Sequence, residues 1–361
     1  MADRDSERPS LEETHGQVAD RRLIVRADPL NQETRGRALA DDVTATAAHF
    51  VRSHFATPRL DPKTHRIPVA GAVGAPMSLS LAELMVMPRR TLAVTLECAG
   101  NGRLGMAPLP PGEPWGHGAV STAAWTGVPL REVLHQAGLR DDASEILTVG
   151  ADAGKPEGQT DEMRFARALP IDKALDPDTL LAFEMNGEPL PPSHGAPVRL
   201  VVPGWYGVAS VKWLARLEAL TRPFGGFFQR ERYVYTDGTS ADTPVGAMRV
   251  RSLVTSPAPG AIVSRGRVPI VGRAWSGEGG VASVEVAVDG GDSWQPAELL
   301  RGDAPHAWCR FRLEVTIDRP GRHVIRARAR DAAGHVQPDV APWNRLGYGN
   351  NAILPVVIHV V

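Results

Sequence analysis

Cys98 is the residue whose position most strongly suggests chemistry. It is one of two cysteines in a chain of 361 residues, and it ends a strand-like run and precedes the small residues Ala99 and Gly100. A thiolate is a soft donor that suits a heavy metal, and the small residues after it leave space for a large ligand. The alternative is a buried structural cysteine, because a free thiol often packs as a small hydrophobic group.

Arg52 and His54 form a second candidate group. They lie two residues apart in Phe50-Val51-Arg52-Ser53-His54, so they share one face if this segment is extended. Arg52 can bind an oxyanion through two hydrogen bonds, and His54 can donate to the polar edge of a cofactor. The alternative is a solvated surface pair, because arginine is rarely buried without a partner.

Two later segments add further cationic residues. Arg199 follows His194 and falls within an apolar strand-like run, where a buried arginine needs either a protein carboxylate or a ligand phosphate as its partner. Lys212 follows Gly204 and Gly207, whose backbone N–H groups can approach an anion closely. The alternative for Lys212 is a side chain that reaches along a sheet edge to solvent.

The chain lacks several common site patterns. It has no Cys-x-x-Cys or His-Glu-x-x-His zinc pattern, no Gly-x-Ser-x-Gly elbow and no Walker loop. One thiolate together with several His, Arg and Lys residues therefore indicates a phosphorylated or otherwise anionic cofactor that carries a soft metal.

The elements that position these residues divide the chain into two structured parts. The first has mixed helical and strand patterns, and the second has short strands of period two, such as 284–288 and 325–330, with a Gly-rich turn at 289–292. We therefore predict an α+β domain followed by an all-β immunoglobulin-like sandwich. The predicted divisions are a flexible N-terminus at 1–20, the α+β domain at 21–225, a linker at 226–247 and the sandwich at 248–361. Within the first domain we predict helices at 79–85, with Ser78 or Ser80 as the cap, and at 130–137, strands at 91–96, 146–149 and 198–202, and a helix or strand at 211–220.

Composition excludes several classes of partner. The net charge is −1, so nothing indicates binding to nucleic acid or to an anionic membrane surface. No run approaches the roughly 18 apolar residues of a spanning helix, and the charged N-terminus does not resemble a secretory signal. Cys98 and Cys309 fall in different predicted domains, so a disulfide between them is not expected. These features predict a soluble cytoplasmic protein.

Taken together, these segments resemble the sulfite oxidase family of molybdenum enzymes. The resemblance extends over nearly all of the chain after about residue 20, with the motifs in the same order and at matching spacing. The matching segments are Phe50 to His54, Cys98 to Asn101, Trp115 to Val128, Met185 to Arg199, Lys212-Trp213 and, in the C-terminal region, Ala274 to Gly277, Asp289 to Gly291, and Trp343-Asn344 to Asn350-Asn351.

The resemblance implies a molybdopterin cofactor and two-electron oxygen-atom transfer to or from a small oxo acceptor or donor. It implies that Cys98 binds the molybdenum and that Cys98 and Arg52 lie at the reacting centre. It also implies an external electron acceptor, which the sequence does not identify, and a homodimer formed through the C-terminal domain. The residues expected to hold the cofactor are His54, Cys98, His194, Arg199, Ser210 and Lys212.

Three positions depart from the family pattern. Phe165 stands where the resemblance places a catalytic tyrosine, and Ala124 and Ala209 stand where it places arginines. These differences predict a substrate pocket that lacks a phenol and two positive charges, unless Arg103 or Arg167 compensates, so the substrate need not be sulfite. The alternative hypothesis is a non-catalytic molybdopterin carrier or scaffold that has kept the fold.

Overall fold

The structure is a computed structural model that describes residues 21–236, 242–290, 293–300 and 302–361. The N-terminus predicted to be flexible therefore lies outside the described residues, as does part of the predicted turn at 289–292. Within the described residues, no helix is long and apolar enough to cross a bilayer.

The first domain is built from two five-stranded sheets with short helices between them. One sheet has the order β10-β9-β6-β5, with β11 also paired to β9, and the other has the order β4-β3-β12-β7-β8. Their strands are β3 Arg66–Gly71, β4 Met77–Ser80, β5 Arg90–Glu97, β6 Val120–Pro129, β7 Glu145–Gly154, β8 Met163–Pro170, β9 Leu180–Met185, β10 Glu188–Pro189, β11 Arg199–Val201 and β12 Leu214–Leu220, and an N-terminal hairpin adds β1 Arg22–Arg26 and β2 Asn31–Thr34.

Local sequence signals set the helices of this domain. Ser80 and Glu83 form a reciprocal capping box, with Ser80 Oγ accepting from Glu83 N at 3.2 Å and Glu83 Oε2 accepting from Ser80 N at 2.7 Å. The helix begins at Leu81 rather than at Leu79, because the preceding residues belong to β4. The α-helices are α1 Leu81–Met85, α2 Leu130–Gln136 and α3 Ile171–Leu175, with 3₁₀ turns at Gly36–Leu39, Arg103–Gly105, Pro192–His194 and Gly207–Ala209 and a π-helical turn at Phe228–Arg232.

The C-terminal domain is a sandwich of two sheets, as predicted. The sheets have the orders β15-β17-β21-β20 and β16-β23-β22-β18-β19, and their inner faces share one apolar core that includes Ile270, Phe311 and Ile325. Alternation of apolar and polar residues along each strand builds this core. The strands are β13 Val234–Tyr235, β14 Thr243–Pro244, β15 Arg251–Ser256, β16 Ile262–Val263, β17 Gly266–Trp275, β18 Val281–Val288, β19 Gln295–Pro296, β20 Glu298–Leu300, β21 Cys309–Ile317, β22 Gly321–Asp331 and β23 Val356–Val360, of which β13 and β14 pair with each other before the sandwich begins.

Much of the predicted linker is packed structure. Phe228, Tyr233 and Val245 are buried in the same core as the strands of the first domain. Apolar side chains at these positions fold the segment back onto the domain, because leaving them in water would cost free energy. This return of the chain brings Tyr233 to the site described next.

Candidate active site

One cavity in the first domain contains every residue predicted to act in catalysis or cofactor binding. It encloses about 680 Å³ of space between atoms, including the solvent at its mouth. The predicted residues that line it are Arg52, His54, Cys98, His194, Arg199, Ser210 and Lys212. Residues from five separate stretches of the chain therefore meet at one place.

Cys98 lies at the end of β5 and is 6% exposed. Its backbone N–H donates to Ala119 O at 2.8 Å, which holds the turn against β6. Burial raises the pKa of the Cys98 thiol, and Arg52 opposes that rise. Burial therefore favours the protonated thiol when no metal is bound.

The loop after Cys98 requires its glycine. A Cβ added at Gly100 would lie 2.5 Å from Arg103 Nη2, because the Arg103 side chain packs directly against the loop. Arg103 donates to Glu113 O at 2.7 Å and to Leu346 O at 3.1 Å. Arg103 thus supports the loop and is not one of the residues that line the cavity.

Arg52 is held by its own neighbours and by the N-terminal hairpin. Its guanidinium donates to Asn31 Oδ1 at 3.2 Å and to Ser53 O. Asn31 Oδ1 also accepts from Ser53 N at 2.9 Å, so a single amide of β2 fixes this segment. None of these partners is a carboxylate, and the positive charge remains available to an anion in the cavity.

His54 forms a hydrogen bond with a tyrosine that the sequence analysis did not identify. His54 Nε2 lies 2.7 Å from Tyr233 Oη, and the Phe165 ring stacks on the imidazole with centroids 4.7 Å apart. Burial, with Arg52 nearby, lowers the pKa of His54, and burial raises the pKa of Tyr233. The prediction that this cavity lacks a phenol is therefore wrong, since Tyr233 supplies one.

Arg199 is buried without a carboxylate partner among the residues described. It donates to His194 O and Ser210 O, each at 3.0 Å, and its guanidinium lies 4.8 Å from the centre of the Trp125 ring. Burial lowers the pKa of Arg199 to about 9, because no anion offsets the loss of hydration. Of the two partners considered from the sequence, a ligand phosphate is the one that this environment favours.

Lys212 also forms no salt bridge among the described residues. Its Nζ donates to Ser53 Oγ at 2.9 Å and to Ser193 O at 3.0 Å. Burial and the nearby Arg199 lower its pKa well below the usual value. Lys212 is half-buried in the lining of the cavity and does not extend to solvent along a sheet edge. Ser210 lines the cavity beside it, but its hydroxyl already accepts from Val202 N at 3.0 Å.

Two further lining residues, His49 and Asp152, were missed in the sequence. His49 Nδ1 lies 2.9 Å from Phe50 O, while His49 Nε2 and Asp152 Oδ1 are buried without a hydrogen-bond partner in the described structure. Burial lowers the pKa of His49 to about 3 and raises that of Asp152 to about 6. The only sequence signal was that each polar residue adjoins an apolar run.

The lining fits an anionic cofactor that brings a metal to Cys98. Three cations, the buried Arg199 and the half-buried Arg52 and Lys212, face one carboxylate, Asp152, among the described residues that line the cavity. Buried charges without partners are costly, so an anionic ligand would stabilise this arrangement. The unpartnered atoms of His49 and Asp152 offer additional hydrogen-bond acceptors for such a ligand.

The other positions that depart from the family pattern lie off the cavity lining. Ala124 is within β6, paired with Ala93, and its N–H donates to Asn186 Oδ1 at 2.9 Å. Ala209 is buried in a 3₁₀ turn beside the lining residue Ser210. Gly204 does not approach a ligand either, because an added Cβ would lie 2.9 Å from Gly277 O in the other domain. Neither alanine supplies a positive charge to the cavity, and the effect of these two replacements on substrate choice stays a prediction.

Comparisons with known proteins agree with this architecture. Residues 54–228 match the oxidoreductase molybdopterin binding domain, and residues 243–361 match the Mo-co oxidoreductase dimerisation domain. Mouse mitochondrial sulfite oxidase is 39% identical over 92% of this chain, and chicken sulfite oxidase is 38% identical over 88%. The chain spans 64% of the length of the mouse protein and 74% of the chicken protein. The crystal structure of the sulfane dehydrogenase SoxCD from Paracoccus pantotrophus superposes with a TM-score of 0.83 and 29% identity, covering 98% of this chain and 93% of that one.

Fold and site together define a protein of the molybdopterin-binding oxidoreductase class. More narrowly, the chain belongs to the sulfite oxidase family.

Proposed function

We propose that this chain transfers an oxygen atom, with two electrons, to or from a small substrate at a molybdopterin centre. The observation that carries the proposal is the buried Cys98 thiol in a cavity whose three cations form no salt bridge among the described residues and face a single carboxylate, Asp152. Sulfite is one candidate substrate, and other small oxo acceptors or donors remain candidates. The electron acceptor is external and unidentified.

The residues of the chain have distinct roles in this proposal. Cys98 supplies a thiolate ligand, and Arg199 and Lys212 hold the anionic part of the cofactor by charge-assisted hydrogen bonds. His194 lies between them, with Nε2 3.3 Å from Thr46 O. When bound, the molybdopterin group supplies two-electron oxygen-atom exchange, while the protein supplies binding and orientation.

Arg52, His54 and Tyr233 face the substrate side of the proposed centre. Arg52 remains charged and binds an anionic substrate, because its partners are neutral oxygens. The raised pKa of Tyr233 and the lowered pKa of His54 keep both groups neutral near pH 7. The short hydrogen bond between them therefore keeps the proton at Tyr233 Oη and holds the neutral phenol in place.

The carrier hypothesis loses one of the observations that favoured it. It depended on an absent phenol and on alanines in place of pocket arginines, and Tyr233 supplies a phenol to the cavity lining. We therefore favour an enzyme. A homodimer formed through the C-terminal domain and a cytoplasmic location remain predictions.

The direct test is metal analysis of three proteins purified from a host that makes molybdopterin. Wild type should bind molybdenum stoichiometrically, and Cys98→Ser should lose the metal and its turnover of sulfite or of an S-oxide. Cys309→Ser is the matched control, because Cys309 lies in β21, outside the cavity, and it should keep the metal. Retention of metal and turnover by Cys98→Ser would overturn the proposed ligand.

A further inference from the structure

Glu97, the residue immediately before Cys98, is the centre of a buried polar cluster. It is 1% exposed and accepts three hydrogen bonds. Oε1 accepts from Arg251 Nη1 at 2.7 Å and from Asn101 Nδ2 at 2.9 Å, and Oε2 accepts from Trp275 Nε1 at 2.8 Å. A carboxylate suits this position because it only accepts, whereas an amide would direct N–H groups at a donor.

Two of those donors come from the C-terminal domain. Arg251 begins β15 and Trp275 ends β17, and the two residues are direct partners in the register of these strands. One end of the sandwich therefore presents both an ion-pair donor and an indole N–H to the residue that precedes the proposed metal ligand. The Arg251 guanidinium also lies 5.9 Å from the centre of the Trp275 ring, so each orients the other.

Arg251 is also bound on its other side. Its Nη2 lies 2.8 Å from His117 Nδ1, and because arginine can only donate, this histidine nitrogen accepts. Burial, with Arg251 beside it, lowers the pKa of His117 to about 4, consistent with a neutral ring. Arg251 therefore connects the end of β5, where Glu97 precedes Cys98, with the segment that leads into β6, where His117 lies.

A second segment of the C-terminal domain contacts the same loop after Cys98. Gly349 N donates to Ala99 O at 2.7 Å, and Asn350 Nδ2 donates to Gly102 O at 2.6 Å. The loop from 97 to 102 is thus held on both sides of the cysteine by residues that follow the first domain in sequence.

We propose that Arg251 and Trp275 are positioning residues for the Cys98 sulfur, so that the C-terminal domain takes part in building the metal centre. The C-terminal domain matches the Mo-co oxidoreductase dimerisation domain. Positioning the Cys98 sulfur would be a role separate from dimerisation, because it depends only on contacts within one chain. The proposal rests on the proposed function where it concerns the metal, and it also makes a prediction for the cofactor-free protein.

The test compares Arg251→Lys and Trp275→Phe with Arg273→Lys. Lysine keeps the charge at 251 but cannot contact Glu97 and His117 together, and phenylalanine keeps the ring at 275 without its N–H. Arg273 is a matched control because it is a second buried arginine that crosses between domains, to Asp42 Oδ1 at 2.9 Å and to Ala40 O, without touching the Cys98 loop.

Hydrogen exchange of the peptide that contains 97–102 is measured in the cofactor-free proteins, and each loaded protein is examined by molybdenum analysis and by its Mo(V) paramagnetic resonance spectrum. We expect about tenfold faster exchange in this peptide for Arg251→Lys and Trp275→Phe, the effect of one lost hydrogen bond to a charged group on local opening. The loaded variants should retain metal with altered resonance positions. Arg273→Lys should change neither readout.

Equal effects from all three variants, or no effect from Arg251→Lys and Trp275→Phe, would overturn the positioning role. Absence of molybdenum from the wild type would instead contradict the proposed function, and the exchange experiment would still decide whether Arg251 and Trp275 hold the loop.

Discussion

The cavity of the first domain and the junction between the domains both bury arginine, but the partners differ. In the cavity, Arg199 donates to main-chain oxygens, and burial lowers its pKa to about 9. At the junction, Arg251 pairs with Glu97 at 2.7 Å and Arg273 pairs with Asp42 at 2.9 Å. Arg251 and Arg273 each have a carboxylate partner within the fold, whereas Arg199 has none among the described residues and can pair with an anionic ligand.

The largest effect should come from breaking the pair at the junction. Glu97→Ala leaves Arg251 buried without its carboxylate, and we expect the free energy of unfolding to fall by about 3–5 kcal/mol. Urea unfolding of the cofactor-free protein measures this loss. Glu285→Ala is the comparison, because its pair with Arg328 at 2.8 Å is partly exposed and should contribute about 1 kcal/mol or less. Equal losses in the two variants would contradict the distinction.

Replacing the cavity cation Lys212 should change the free energy of unfolding little and should weaken cofactor binding instead. Lys212→Met removes two hydrogen bonds, to Ser53 and Ser193, but also removes the cost of withdrawing from water a charge that forms no salt bridge among the described residues. We therefore expect a change of about 1 kcal/mol or less in cofactor-free stability, with roughly 10–100-fold weaker retention of the cofactor. Urea unfolding and the pterin content after dialysis measure the two quantities. A loss of stability as large as that of Glu97→Ala would show that Lys212 is chiefly structural.

The smallest effect concerns His49 and the loss of folding stability in acid. The pKa of His49 is about 3 in the folded protein, against an ordinary value of 6.5. As pH falls below 6.5, the unfolded chain binds a proton that folded His49 does not, so stability is lost over the interval from 6.5 to about 3. His49→Phe removes this contribution, and the variant should lose about 1 kcal/mol less than wild type between about pH 7.5 and 5.5. Parallel pH profiles, measured by urea unfolding, would contradict the assignment.

Much of the cavity could be predicted because its residues stand in short, ordered motifs. Cys98 follows a strand and precedes small residues, Arg52 and His54 share the spacing of an extended segment, and Arg199 interrupts an apolar run. All of them line one cavity in the structure. Local spacing left a structural alternative open for each residue, and the resemblance of the ordered motifs to the family pattern indicated which residues share a site.

Tyr233, Asp152 and the contacts of Arg251 could not be predicted in this way. Tyr233 lies in a segment predicted to be a linker, and only the burial of Phe228 and Val245 beside it brings its phenol to His54. Phe165 was correctly expected near the site but incorrectly treated as leaving the cavity without a phenol, because the chain supplies that group from a different segment.

The amino-acid order was sufficient for the α+β domain, the sandwich after it, the family and most of the cavity residues, because periodicity and motif spacing are local properties of the chain. The partners of the buried charges required the folded molecule. Whether an arginine faces a carboxylate, as Arg251 does, or only carbonyl oxygens, as Arg199 does, depends on contacts between segments far apart in sequence. Those contacts separate the charges that stabilise the protein from those that await a ligand.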